Sequence, residues 1–219
     1  TVIYWITGVI LILALGLLIS GLLNYNRLRG KAFFKSATYL PNICAVIAMG
    51  IIFSMLFEKN TGLINEVIFS MGGSKVDWLT GTRFSKLPVI ALNVWRNTPW
   101  FTMILLSGLL NISPEYYEAA KVDGANAFQR FFKITLPSLS NVMFFCFITL
   151  TADSWKIFNE PFMLQGPGTS NVSLFQYMYE SGFNVFKLGY ASAIGCMLTL
   201  ILLIVSIIQF IIRMKQGEV

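Results

Sequence analysis

Glu118, Ala119 and Ala120 sit in a segment whose neighbours are suited to building a compact turn. Ser113 is placed to cap a helix, Pro114 suits its first position, and Glu115 meets the positive end of its dipole. Gly124 supplies the left-handed residue that ends so short a helix and turns the chain. A second helix then runs on to Leu136-Pro137, making residues 112–137 a helix–turn–helix. Ala119 and Ala120 leave a shallow surface beside Glu118, which suits docking into a cleft on another protein. The same residues also fit a plain helical hairpin at a membrane interface.

Asn93, Asn97 and Trp100 form a second set. Their i, i+4, i+7 spacing predicts one helical face. Pro99 frees a carbonyl and can open the helix beside them. Paired amides hydrogen-bond hydroxyl groups, and an aromatic ring stacks on the C–H face of a sugar, so the face suits a carbohydrate. The alternative is that the asparagines bond neighbouring helices while Arg96 snorkels outward. Further on, Trp155 and Lys156 fit an interfacial belt.

The elements that must carry these residues are apolar. Of 219 residues, 56% are apolar and 12% charged, against roughly 25% charged in an ordinary soluble domain. Mean hydropathy is +0.69, so lipid must cover what water does not. The fold class predicted is an all-α polytopic bundle. Five stretches approach the ~20 residues that cross a bilayer: Val2–Leu23, Ala37–Phe57, Val89–Leu110, Ser138–Trp155 and Leu188–Ile212. Residues 1–219 read as a single transmembrane domain, without internal repeats.

Charge placement orients the spans. Residues 24–36 hold Arg27, Arg29, Lys31 and Lys35 with no acid, which predicts a cytoplasmic loop. Alternate crossing then puts 112–137 and the tail 213–219 inside as well, and these three segments hold nine of the sixteen Lys and Arg. The net charge of +6 therefore reads as membrane orientation and lipid contact rather than nucleic-acid binding. The segments 58–88 and 156–187 fall outside. Thr1 also falls outside with no signal-peptide pattern before it, which leads to the expectation of a further upstream span, five of six being present. The chain has no histidine, and its three cysteines are dispersed among apolar stretches, so metal sites and His-based catalysis are not expected.

The inner segment resembles the cytoplasmic loop of permease subunits of binding-protein-dependent ABC importers. That pattern is Glu-Ala-Ala, three residues, Gly, nine residues, then Ile-x-Leu-Pro, and Glu118-Ala119-Ala120, Gly124, Ile134, Leu136 and Pro137 match it. Asp123-Gly124-Ala125 and Phe131-Phe132-Lys133 are similar to the sugar-transporting branch, of maltose and glycerol-phosphate type. So are Phe34, Leu40-Pro41, Gly62-Leu63-Ile64-Asn65 and Gly189-Tyr190-Ala191-Ser192-Ala193. Gln165-Gly166-Pro167-Gly168 is one glycine short of the usual outer element, and the usual first span is not seen.

The resemblance implies a permease in a prokaryotic plasma membrane, forming half of a sugar translocation path. Its implied partners are a homologous second permease, two ATPase subunits and an extracytoplasmic sugar-binding protein. Glu118, Ala119, Ala120, Asp123 and Gly124 would meet the ATPase. Ser154 and Asn159 join the substrate path by family position. ATP would be bound by the partners, since Met71-Gly72-Gly73-Ser74-Lys75 lacks phosphate-loop spacing and reads as an outer turn. A gradient-driven carrier or channel is the rival reading. It calls for intramembrane carboxylates, of which the five stretches offer Asp153 alone. A membrane enzyme lacks clustered catalytic groups.

Overall fold

The computed structural model describes residues 1–25 and 30–215. Among the described residues the chain is helical, with no strand. The helices are α1 (Val2–Asn24), α2 (Lys31–Ile43), α3 (Val46–Leu56), α4 (Leu63–Ser70), α5 (Lys86–Leu110) and α6 (Pro114–Val122). They are followed by α7 (Ala127–Arg130), α8 (Leu136–Ser138), α9 (Ser140–Trp155), α10 (Asn159–Met163), α11 (Leu174–Tyr179) and α12 (Leu188–Lys215). Short π-helical turns, Phe131–Thr135 and Glu180–Asn184, join α7 to α8 and extend α11. Arg27 and Arg29 lie outside the described residues.

The apolar stretches fold in three ways. Helices α1 and α12 are long and apolar enough to cross a membrane. Two further pairs pass that test only as bent units, α2 with α3 and the 127–138 helix with α9–α10. Helix α5 has 25 residues, enough for about 37 Å, but carries Asn93, Arg96, Asn97 and Thr98 in its middle.

The expected continuous span Ala37–Phe57 is instead broken by 91°. Cys44 (φ −63°, ψ 140°) and Ala45 (φ −60°, ψ 124°) are both extended and end α2. Pro41 has already removed one amide donor from that helix. The outer segments hold α4, α10 and α11 rather than loop alone.

Helix α1 buries Tyr4, Gly8, Ile12, Gly16 and Ser20, one residue in every four. That spacing keeps a single face turned inward. The glycines let backbones approach, as small residues do where lipid offers no hydrophobic drive. A Cβ on Gly16 would lie 3.3 Å from Leu105 Cδ1 of α5. The main core joins Val9 and Ile12 to Val94, Phe101 and Leu105 of α5 and to Cys146 and Leu150 of α9. A second core packs Tyr4, Val89, Leu92, Ile157 and Leu164.

The bundle has two distinct ends. At one, the Tyr4 hydroxyl donates to the Asn171 carbonyl at 2.6 Å, and Lys86 Nζ donates to the Ser170 carbonyl. At the other, Asn24, Leu109 and the 127–135 segment surround one hollow, and Arg213 reaches Ser140 and Asn141.

The segment between α3 and α5 is organised by buried Asn65. Its Nδ2 donates to the Lys59 and Val76 carbonyls at 2.9 and 2.8 Å, and its Oδ1 accepts from Val76 N and Trp78 Nε1, both at 3.0 Å. Hydrogen bonds from the Thr61 amide and hydroxyl hold the Glu58 carboxyl below its usual range.

A Cβ at Gly50 of α3 would lie 2.6 Å from Met163 Cβ of α10, too close for a side-chain tip to yield. Gly50→Ala should destabilise the protein by roughly 1–3 kcal/mol through overpacking. A lowered thermal midpoint in detergent would register this; an unchanged midpoint would show that α10 moves aside without loss.

Candidate functional site

A polar cavity of about 230 Å³ opens between α1, α5, α9 and α10. Asn93 and Asn97 of α5, Ser154 of α9 and Asn159 of α10 line it, with Ile12, Phe101 and Leu150 as apolar wall. Four of the five residues expected on a substrate path are thus brought together.

Each is positioned by local physics. Asn97 Nδ2 donates to the Asn93 side-chain and main-chain oxygens at 2.7 and 3.0 Å, as i, i+4 neighbours on a helix can. Gly8 brings α1 so near that a Cβ there would lie 3.4 Å from both Asn93 Nδ2 and Ser154 Oγ. Three residues, 156–158, separate α9 from α10, whose first residue, Asn159, stands at the cavity.

Trp100 lies apart. Although the next residue, Phe101, still lines the cavity, Trp100 lines another hollow with Tyr39, Ile43 and Ser107. Nor does Pro99 open α5, which runs unbroken from Lys86 to Leu110. Thr98 and Thr102 hydroxyls donate to the Val94 and Thr98 carbonyls at 2.6 and 2.8 Å, tightening the turns around the proline.

Arg96 does not snorkel. Its Nη1 lies 3.3 Å from Glu160 Oε1, with 25% of the arginine side chain and 5% of the glutamate's exposed. Glu160 was not singled out in the sequence. The readable signal was chemical: an arginine mid-way along a span requires an acid, and Glu160 stands just past the fourth stretch. At the rim, Lys156 pairs with Asp153 at 3.5 Å. Trp155 is buried against Trp5, ring centroids 6.1 Å apart, rather than in a belt.

The second constellation is the hairpin. Ser113 Oγ accepts from the Glu115 amide at 3.3 Å, and Gly124 takes φ 75°. Asn126 and Gln129 form a reciprocal capping box, both bonds 2.9 Å, an N-x-x-Q signal that sequence reading passed over. Tyr117 Oη and Thr135 Oγ1, 2.9 Å apart, tie the two arms. Glu118, Ala119, Asp123 and Gly124 are exposed and Ala120 is half-buried. Around them Tyr116, Val122 and Phe128 are 62%, 89% and 72% exposed. Three residues, 111–113, join this hairpin to α5, and Leu139 alone separates it from α9.

Residues 12–216 match the family described as the binding-protein-dependent transport system inner membrane component. The chain belongs to that family. It is a permease of the inner membrane. It is 32% identical over 210 residues to the arabinooligosaccharides transport permease AraP of Bacillus subtilis, covering 94% of this chain and 67% of that one. To the probable ABC transporter permease y4oQ of Sinorhizobium fredii it is 36% identical, covering 94% and 67%. To the trehalose/maltose permease MalF of Thermococcus litoralis it is 33% identical, covering 93% and 68%. A chain of the bacterial alginate ABC transporter, crystallised with an alginate pentasaccharide-bound periplasmic protein, superposes with TM-score 0.86 at 19% identity. That match covers 99% of this permease and 77% of the other chain, and shows a shared fold.

A Cβ at Gly124 meets nothing within 4 Å, so Gly124→Ala adds only the strain of an L-residue at positive φ, about 1–2 kcal/mol. Amides 123–125, which close the turn onto Ala119, Lys121 and Ala120 carbonyls, should then exchange hydrogen faster, with α1 and α5 unchanged. Equal protection in the variant would contradict this account of the turn.

Proposed function

We propose that this permease is one of two membrane subunits of an ATP-driven carbohydrate importer. In this reading α5, α9 and α10 line half of the path and the 112–137 hairpin faces the cytoplasm as the seat of a separate ATPase. The single observation that carries it is the pairing of an amide-lined cavity with an exposed hairpin attached to both of its principal walls. The relatives' names supply the solute class: arabinooligosaccharides for AraP and trehalose or maltose for MalF.

Five spans fit the arrangement, with α1, α2–α3, α5, the α9 unit and α12 crossing in turn. Lys121, Arg130, Lys133 and Arg213 then share the cytoplasmic side, as the positive-inside rule requires. A second permease completes the path, an external binding protein delivers the sugar, and the partner ATPase binds the nucleotide. Glu118 offers a charge to a cation on that ATPase, Ala119 and Ala120 allow close approach, and Asp123 with Gly124 shapes the turn. Tyr116, Val122 and Phe128 supply apolar area to the contact.

In the cavity, Asn93, Asn97, Ser154 and Asn159 hydrogen-bond sugar hydroxyls. Trp100, outside the cavity, serves a different stage of passage or the subunit contact. Glu160, the buried carboxylate an ion-driven carrier would want, is already engaged by Arg96.

Two measurements check this. With the partner subunits co-expressed, ATPase should co-purify with the native permease. Glu118→Lys should reduce recovery at least about tenfold, the size expected when a like charge replaces an attractive one in a contact. Undiminished recovery would sink the docking role. Asn97→Leu should leave ATPase recovery intact while cutting sugar uptake about tenfold or more, since sugar hydroxyls lose their partner. Unchanged uptake would remove the cavity from the path.

A further inference from the structure

The charges of the cavity are paired with one another. Two cations border it, and each has an acid of its own: Arg96 with Glu160 at 3.3 Å and Lys156 with Asp153 at 3.5 Å. The residues left to meet a solute, Asn93, Asn97, Ser154 and Asn159, are polar and uncharged. Glu160 is 5% exposed along its side chain, and Arg96 reaches it from the middle of α5. A buried pair of this kind contributes little net attraction to a third charge, because each member already screens the other.

From this arrangement we infer that Glu160 is a specificity-determining residue: by neutralising Arg96 it makes the cavity accept uncharged carbohydrates and exclude acidic ones. The inference rests on the carbohydrate reading above and sharpens it. A uronate entering beside Asn97 finds no partner for its charge, because the arginine that could have answered it is engaged by Glu160. A neutral sugar meets amides and a hydroxyl. Glu160 acts through Arg96 and so is a positioning residue. Replacing it by Gln preserves its size and a hydrogen-bond acceptor but leaves the arginine charge uncompensated.

The test is binding of labelled neutral oligosaccharides (arabino- and malto-) and of oligouronates of equal length to the purified permease–ATPase complex. The binding protein is left out so that its own selectivity does not enter. The wild-type complex should bind the neutral series at least about tenfold more tightly, the scale of a charged group left without its partner. Glu160→Gln should shift that ratio toward the uronate by about tenfold or more, and Glu160→Gln with Arg96→Gln should restore the neutral preference. Equal wild-type affinity for the two series would overturn the inference whether or not any variant folds. So would an unshifted ratio in a folded Glu160→Gln complex. If neither series binds the wild type, the carbohydrate reading itself is what fails.

Discussion

Helix α5 carries Asn93, Arg96, Asn97 and Thr98 through its middle, where Asn93 and Thr98 are buried and Arg96 and Asn97 half-buried. Every one of them must therefore find its hydrogen bonds within the protein or in a water-filled cavity. The surrounding bundle is the answer to that demand. The glycine face of α1 closes tightly on one side, burying Asn93. Ser154 of α9 approaches from another, and α10, just past Trp155, brings Glu160 to Arg96. The threonines on α5 bond back to their own helix. What remains open, after these groups are matched, is the amide-lined cavity.

The same helices connect cavity to hairpin. Helix α5 runs from Asn93 and Asn97 to Leu110, and α6 begins after three intervening residues; α9 leaves the hairpin's second arm after Leu139 alone and carries Ser154. In the proposed importer, with so little slack at either junction, tilting the hairpin would tilt two walls of the cavity. The hairpin is itself stiff, through the Ser113 cap, the Asn126–Gln129 box and the Tyr117–Thr135 contact. A rigid lever with an exposed apolar and acidic surface is what force transfer from a separate subunit needs.

How much of this was readable beforehand depended on how local the cause was. The turn at Gly124 and the cap at Ser113 follow from residues within three positions, and both took the form expected. The pairing of Asn93 with Asn97 follows from helical spacing alone. Trp100 did not join them, because helical spacing says nothing of which neighbouring helix lies opposite a residue. The 91° break after Ile43 was hidden within continuous apolarity, since Cys44 and Ala45 carry no strong turn chemistry. Glu160 was missed for a related reason. Its role exists only once α10 folds back to α5, a contact 64 positions apart in the chain.

The proposed importer requires that the α5 cavity open to opposite sides of the membrane as an ATPase on the hairpin cycles. It is tested most directly with Asn97→Cys in a permease whose Cys44, Cys146 and Cys196 are replaced by Ser, assembled with its partners in vesicles. Labelling by a membrane-impermeant maleimide, applied from each side in turn, is compared between the nucleotide-free and ATP-trapped states. The account predicts that reactivity at position 97 passes from one side to the other on trapping. Reactivity that is the same from each side in both states would contradict it.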